Sequence, residues 1–485
     1  MARRSVVIIG GGISGLCAAW ELSGGAGGPS DDAPRIEIIE ASPRFGGAIA
    51  TTEFAGRTID LGADGFLARR PEATSLVSEL GWASRLEAIS AAGASLWLRG
   101  ALTSLPAGLA LGVPTSASSL RRVKGLSWSA RRHARRDELF AHRLDVGDDA
   151  TIGEIVRTKL GDELAYQVVE PLIGGIQAGR IDELSAKSVF PALLDAARSG
   201  GSLMKALRPK GPINPGPQAQ SVTDGPAFYS LTSGVGSLAD ELVTQLRDRG
   251  VVLRPSTKVT AVRVARGEYR WDVDSLSTTT PADFVILATP APVTSTLLSQ
   301  YHHAFAALVD VPYAGAAMVT FHVATSHITL PPHGTGVLVP LGTAWTGSDS
   351  LVTTAITFLD RKWPHLARDG GVVLRAHVGR SDDQRWQDMS DDALRERVSA
   401  ELTFLLPRFS KPDASIVQRW PHALPQYLVG HDRLVESARL ESQRCGVALC
   451  GSAYDGVGIP ACIGSGRQAA REALASIKLA GTPLS

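Results

Sequence analysis

The strongest constraint on this chain lies in its first forty residues. The apolar run Ser5–Ile9 meets a Gly10-Gly-Gly12-Ile13-Ser14-Gly15 turn that opens a helical stretch, Leu16-Cys-Ala-Ala-Trp20-Glu-Leu. A second apolar run then starts at Arg35 and ends in Glu40. Each part of this βαβ pattern has a mechanical role in holding a dinucleotide. Gly10 permits the tight turn, Gly12 lets backbone approach a pyrophosphate, and Gly15 lets helix and strand pack closely. Ile13 and Ser14 form the helix N-terminus, whose free N–H groups and positive dipole end favour phosphate. Glu40 is set to accept hydrogen bonds from ribose hydroxyls. The competing reading is a Gly-rich crossover that holds no ligand.

The residues downstream favour FAD over NAD. Glu40-Ala41-Ser-Pro-Arg44-Phe-Gly46-Gly47 sets a cation and a glycine pair right after the acid. A second close backbone approach suits a ligand that continues across the domain, and Arg44 offers a planar donor fork to phosphate. Asp60-Leu-Gly62-Ala63-Asp64-Gly65 is a further Gly/Asp turn. Near the far end, the strand-like Val447–Leu449 runs into Gly451-Ser452. Val457-Gly458-Ile459 then lead into a helix, so a second helix N-terminus follows a Gly-rich loop. That arrangement suits the flavin ring edge that becomes anionic on reduction.

At 485 residues the chain is long enough for two or three domains. A net charge of +1 argues against a bulk nucleic-acid binder. Cys17, Cys445, Cys450 and Cys462 show neither a CxxC pair nor metal-ligand spacing, so no metal is expected. Arg3-Arg4 before an apolar run mimics a secretory leader, but the run breaks into glycines and reads as a first core strand. No apolar run reaches the length of a membrane span. Residues 70–205 read as largely helical, with patterns at Ala73–Leu80 and Ile152–Val169. Residues 24–34 read as an insertion and 209–226 as a Gly/Pro/Gln-rich loop. Alternation between 312 and 415 reads as strands, with a helix among them over Asp391–Leu406. Residues 121–143 carry eight cations against Asp137 and Glu138. Three readings of them stay open: a solvated face, an anionic-lipid contact, or a patch for an acidic substrate or partner.

Several blocks make the chain resemble the oxygen-dependent coproporphyrinogen III/protoporphyrinogen oxidase family, a branch of the amine-oxidase-like flavoproteins. They are Gly62–Arg70, Pro171–Gly179 with Ile181–Ser185, Phe228–Leu238, Trp420–His431 and Gly456–Pro460, in the family's order. The resemblance implies an α/β fold: a Rossmann-like FAD domain with a mixed-sheet substrate domain and a helical domain. The expected division is 1–70, 209–290 and 420–485 for the FAD domain. Residues 71–208 are then a mainly helical domain lining the substrate cavity, and 291–419 the substrate sheet. It implies non-covalent FAD held by the residues named above, together with Val259, Thr289 and Trp420.

The implied reaction is six-electron oxidation of a porphyrinogen, with oxygen as acceptor and peroxide released, in haem biosynthesis. No catalytic side chain is assigned, since flavin N5 carries the hydride transfer. Arg69 and Arg70 are candidate anchors for propionates. Gly175, Ile176, Gln177 and Gly179 match the family segment beside the substrate. Their bland readings are an exposed Arg pair and a helix–helix turn. The sequence departs from the family at Ala48, Gln177 and Ser95, which bears on propionate anchoring rather than on the flavin site.

The bias of 40 Arg to 9 Lys is that of a GC-rich genome, and relatives from such bacteria act on coproporphyrinogen III. Protoporphyrinogen IX is the alternative. Amine oxidation, carotenoid desaturation and a non-catalytic porphyrin carrier stand further off. Implied partners are the porphyrinogen, oxygen, and transiently the next haem-pathway enzyme. The implied location is the cytoplasm, with membrane contact at most peripheral.

Overall fold

A computed structural model describes residues 4–28, 33–90, 93–140, 143–208 and 225–480. Most of the loop expected at 209–226, and residues 29–32 of the expected insertion, lie outside these. The chain forms two compact units. One comprises Met1–Leu86, Phe228–Pro312 and Arg433–Ser485. The other comprises Glu87–Ala227 and Tyr313–Asp432.

The first unit is built on five parallel strands in the order Val252–Arg254, Arg35–Ile39, Ser5–Ile9, Phe284–Leu287, Val447–Leu449. Strands buried on both faces read as continuous apolar runs rather than alternating ones, and Val6, Val7, Ile8 and Phe284–Leu287 are all buried. The exception is Glu37, which is buried and satisfied by Arg254 at 2.7 Å and by the Thr280 hydroxyl at 3.2 Å. Helices Ile13–Leu22, Ser237–Asp248 and Ile459–Ala480 pack on this sheet through one core that includes Leu16, Leu242 and Ile463. The helix Pro71–Glu79 joins the same core through Ala73, Leu76 and Val77.

The second unit contains a seven-stranded sheet. Its order is Ala414–Pro425, Tyr313–Ala324, Gly371–Val378, Thr353–Phe358, Gly336–Leu338, Ser95–Leu98, Ala101–Ser104. All its neighbours are antiparallel except Gly336–Leu338 with Ser95–Leu98. Helix Asp391–Leu405 covers this sheet through Leu394, Val398 and Leu402. The same unit holds a helical core around Ile155, Leu164, Val168 and Leu193.

Two expectations about 70–205 need correction. Ser95–Leu98 and Ala101–Ser104 are strands, not helix. Arg99 and Gly100, at φ +52° and +78°, form the left-handed two-residue turn that a hairpin requires. The helical pattern over Ile152–Val169 is also broken. Gly161 at φ +91° ends the helix Ile152–Leu160, and Ala165–Val169 is a π-helical turn leading into helix Glu170–Gln177.

Candidate functional site: a glycine-lined cradle

In the first unit the two Gly-rich segments singled out in the sequence meet. Gly12 and Gly46 form an isolated parallel bridge, and the Gly46 N–H donates to the Gly11 carbonyl at 2.8 Å. A Cβ on Gly47 (φ +59°) would sit 3.2 Å from Gly12 Cα, and one on Gly10 2.4 Å from the Ala288 carbonyl oxygen. At Gly15 a Cβ would lie only 2.0 Å from the Gly10 carbonyl oxygen. Helix Ile13–Leu22 starts here with no side-chain cap and no acid in its first turn, so its N-terminal amides and dipole are left for an anion. Ile13 and Ser14 are buried at this end.

Glu40, half-buried at the end of its strand, accepts the Gly11 N–H at 2.6 Å and the Ser42 N–H at 2.7 Å. Its carboxylate thus braces the glycine turn. Arg44 turns onto its own loop and donates to the carbonyls of Phe45 at 3.1 Å and Ile49 at 3.0 Å. The left-handed Gly46-Gly47 pair clusters carbonyls on one side, and that cluster matches a planar guanidinium fork. Ala41 is exposed beside it.

The C-terminal loop lies in the same unit. Gly451, at φ +122°, donates its N–H to Ser465 Oγ at 2.9 Å, and Ser465 in turn donates to Asp455, which Arg439 also holds at 2.6 Å. Ser452 opens the short helix Ser452–Asp455. Val457 and Gly458 then precede helix Ile459–Ala480, which carries no acid in its first turn. Thr289 shares a hydrogen bond of 2.8 Å with Thr294, which accepts from the buried Tyr454 hydroxyl at 3.0 Å. Val259 is buried at a bulge in its hairpin. Gly62 is buried and Ala63 exposed in the Asp60–Asp64 turn, while Asp60 accepts the Gly236 N–H at 3.1 Å.

Sequence reasoning missed Gly466. A Cβ there would stand 2.0 Å from the Ser14 carbonyl oxygen, so this glycine lets the C-terminal helix touch the first turn of helix Ile13–Leu22. The available signal was a glycine inside a helix, which costs about 1 kcal/mol relative to alanine and so calls for a packing reason. Ser465 and Asp455 were missed as braces of Gly451 for the same reason: their role appears only once the loop is folded.

Of the candidate anchors, Arg70 is committed to Glu72 at 2.7 Å, and its hydrogen bond holds the Glu72 carboxyl below the usual carboxylate range. Arg69 is exposed, with no ion pair among the described residues. Trp420 lies in the second unit, paired with Ala316. Gly175, Ile176, Gln177 and Gly179 are in that unit as well. Gly175 and Ile176 face solvent, while Gln177 and Gly179 are buried. Tyr427 and His431 stack at 4.6 Å between ring centroids. His302 accepts the Ala304 N–H as the cap of helix His303–Ala306.

The cradle fits a dinucleotide: an uncapped helix N-terminus, two backbone segments approaching without Cβ atoms, and an acid at the end of the second strand. Comparison with known proteins agrees. The flavin containing amine oxidoreductase family matches residues 13–474. The chain is 31% identical to coproporphyrinogen III oxidase of Bacillus subtilis over 475 residues, covering 97% of this chain and 98% of that one. It is 31% identical to human protoporphyrinogen oxidase, covering 96% and 98%. A solved structure from Exiguobacterium sp. superimposes with a TM-score of 0.83 at 30% identity, covering 99% of this chain and 100% of that one. The α/β fold with an FAD-type βαβ unit agrees with the resemblance first read from the motifs. The chain belongs to the flavin containing amine oxidoreductase family and is an FAD-dependent oxidoreductase.

Proposed function

We propose that this enzyme oxidises coproporphyrinogen III to coproporphyrin III in haem biosynthesis, using oxygen and releasing peroxide. The observation that carries the reading is similarity to a coproporphyrinogen III oxidase along 97% of the chain, joined to a cradle built for a dinucleotide. FAD, when bound, would supply the hydride-accepting and oxygen-reducing chemistry that the side chains lack. The chain supplies position and charge. Gly12, Gly46 and Gly47 admit the pyrophosphate to backbone N–H groups, Gly10 and Gly15 let turn, strand and helix pack closely enough to present them, and Ile13 and Ser14 stand in the first helical turn. Glu40 and Ala41 meet the ribose, and Arg44 acts through the turn it clamps. Gly62, Ala63, Asp64, Val259, Thr289, Gly451, Ser452, Val457, Gly458 and Ile459 complete the cofactor contacts. Ser465 and Asp455 keep the C-terminal loop in place so that backbone dipoles meet developing negative charge.

Arg69 is the better propionate anchor of the pair, because Glu72 occupies the fork of Arg70. Gly175, Ile176, Gln177 and Gly179 form the substrate segment of the second unit. Pyrrole nitrogens release their protons without a strong base.

The test is a side-by-side fluorescence assay of porphyrin formation. The expected kcat/KM for coproporphyrinogen III exceeds that for protoporphyrinogen IX by at least about tenfold, or about 1.4 kcal/mol. Preference for protoporphyrinogen IX would exchange the substrate for the alternative. Turnover of neither would end the porphyrinogen reading.

A second observation bears on location. No helix among the described residues is long and apolar enough to cross a membrane. Helix Trp128–Leu139 nevertheless exposes Trp128, Arg132, Arg135 and Leu139, spaced along one face, with Phe140 beyond them. Trp128 is 73% exposed and Phe140 72%. Arg121, Arg122, Lys124 and Arg136 add exposed charge. A cationic stripe ended by large apolar side chains suits the headgroup region of an anionic bilayer. We read the protein as cytoplasmic with this face as a peripheral contact. The full chain is expected to sediment with phosphatidylglycerol-containing vesicles and not with pure phosphatidylcholine, and R132E/R135E to release it. Equal recovery in the supernatant with both vesicles would leave the stripe a solvated face.

A further inference from the structure

The second unit holds a buried charge cluster that the reaction itself does not use. Glu170 is fully buried at the start of helix Glu170–Gln177, directly after the π-helical turn. Its carboxylate accepts Arg180 Nε at 2.9 Å and the Ile181 N–H at 3.0 Å, and lies 3.6 Å from an Arg380 terminal nitrogen. Arg180 also donates to Asp382 at 2.7 Å. Arg380 is 5% exposed, and that same nitrogen has no hydrogen-bond partner among the described residues. It stands 3.6 Å from where a Cβ on Gly174 would lie.

Two further ties reach the same turn. The Ser381 N–H donates to the Ala178 carbonyl at 2.7 Å, and the Gln426 amide donates to the Gln177 carbonyl at 2.8 Å. Between them Ala178 is held left-handed at φ +50°, a conformation a non-glycine residue rarely adopts. A Cβ on Gly179 would fall 2.1 Å from the Gln426 side-chain oxygen.

The opposite side of this turn is apolar and open. Gly175 is exposed, Ile176 is 52% exposed, and Leu338 flanks Gly175, with a side-chain carbon 3.5 Å from where a Cβ there would sit. Buried ion pairs add little net stability over a well-packed apolar core. What this set supplies instead is geometry, because charged and neutral ties from two strands' ends hold one short turn.

We propose that Glu170 and Arg380 are positioning residues for the porphyrinogen, fixing the Gly174–Gly179 turn so that Gly175 and Ile176 present one apolar face to the macrocycle. The proposal rests on the porphyrinogen reading above. Neither residue touches substrate, and each acts through the turn. Removing either support lets the turn shift, which weakens ground-state and transition-state binding alike and so raises KM while sparing kcat.

The experiment is steady-state kinetics of the FAD-loaded enzyme with coproporphyrinogen III, for wild type, Glu170→Gln, Arg380→Met and Arg380→Lys, with flavin absorbance and melting temperature recorded for each. Glu170→Gln and Arg380→Met are expected to raise KM about tenfold, with kcat per bound flavin within about twofold of wild type. Arg380→Lys, which keeps the charge beside Glu170, recovers most of the KM. A purely structural role would lower the melting temperature or the yield of active enzyme and leave KM unchanged, and that result overturns the proposal. If the two charge variants do not fold, Gln426→Leu decides, because it removes a neutral tie to the same turn: a raised KM supports the proposal and an unchanged KM overturns it. Wild-type enzyme that turns over no porphyrinogen overturns the functional reading and the proposal together. Normal wild-type turnover with unchanged KM in the variants overturns the positioning alone.

Discussion

Gly15→Ala is expected to yield a protein that purifies without its yellow colour. The added methyl would lie 2.0 Å from the Gly10 carbonyl oxygen, which is backbone, so no rotamer change relieves the clash. The first turn of helix Ile13–Leu22 must move by more than 1 Å to reach an ordinary contact. That movement takes the helical N–H groups away from the pyrophosphate they are set to meet, and such hydrogen bonds weaken steeply with distance and misalignment. A loss of at least about 100-fold in FAD affinity, or about 2.7 kcal/mol, follows from two charge-assisted bonds weakened together. Gly466→Ala is expected to act in the same direction, since its methyl meets the Ser14 carbonyl oxygen at 2.0 Å from the other side. Gly267→Ala is the control, because nothing lies within 4 Å of its Cβ position. The readout is flavin per polypeptide from visible absorbance, followed by FAD titration of the stripped protein. Stoichiometric FAD at wild-type affinity in Gly15→Ala would show that the close approach is not what holds the cofactor.

What could be read from the sequence was whatever a single local pattern encodes. Val6 to Ile9, followed by Gly10, Gly12 and Gly15, specify a buried strand and a tight glycine turn within a dozen residues. The acid at Glu40 falls at the end of the second strand because that strand's apolar run stops there. The pairing of Gly12 with Gly46 was implicit in two glycine clusters but needed the fold to bring them together. The strand Ser95–Leu98 was not legible, since its partner Gly336–Leu338 is some 240 residues away and only the Arg99-Gly100 turn betrays it locally. Arg44 was read as a phosphate ligand because a cation beside glycines suits an anion. The carbonyls that it meets here are generated by the conformation of Gly46 and Gly47, which composition does not reveal. The Glu170–Arg380 cluster joins segments 210 residues apart, so neither partner stands out until both are buried.

The second large effect is expected at a buried ion pair under the basic helix. Asp137 lies on the inner face of helix Trp128–Leu139 with Ala130 and Ala134, and its carboxylate is 3.6 Å from Lys159 Nζ, both side chains being fully buried. Asp137 also accepts the Ser202 hydroxyl at 2.8 Å and the Met204 N–H at 3.2 Å, while Lys159 reaches the Gly201 carbonyl at 3.4 Å. Asp137→Ala therefore strips the carboxylate from a buried ammonium and leaves two donors without it. A destabilisation of about 3–5 kcal/mol is expected, because the buried ammonium loses the Asp137 counter-charge. Lys159→Met leaves the carboxylate its two donors and a close apolar fit for the stem, so a smaller loss is expected. The double variant Asp137→Ala/Lys159→Met removes both charges, and its stability should return towards wild type because the desolvation penalty goes with them. Thermal melts of the three variants give the coupling directly. Trypsin adds a local readout, since Arg131 to Arg136 line a helix whose inner anchor is lost in Asp137→Ala. Faster nicking there than in wild type is expected, falling back in the double variant. If Asp137→Ala melts within about 1 kcal/mol of wild type, water reaches Lys159 more freely than its burial implies, and the basic helix is held by its alanine face alone.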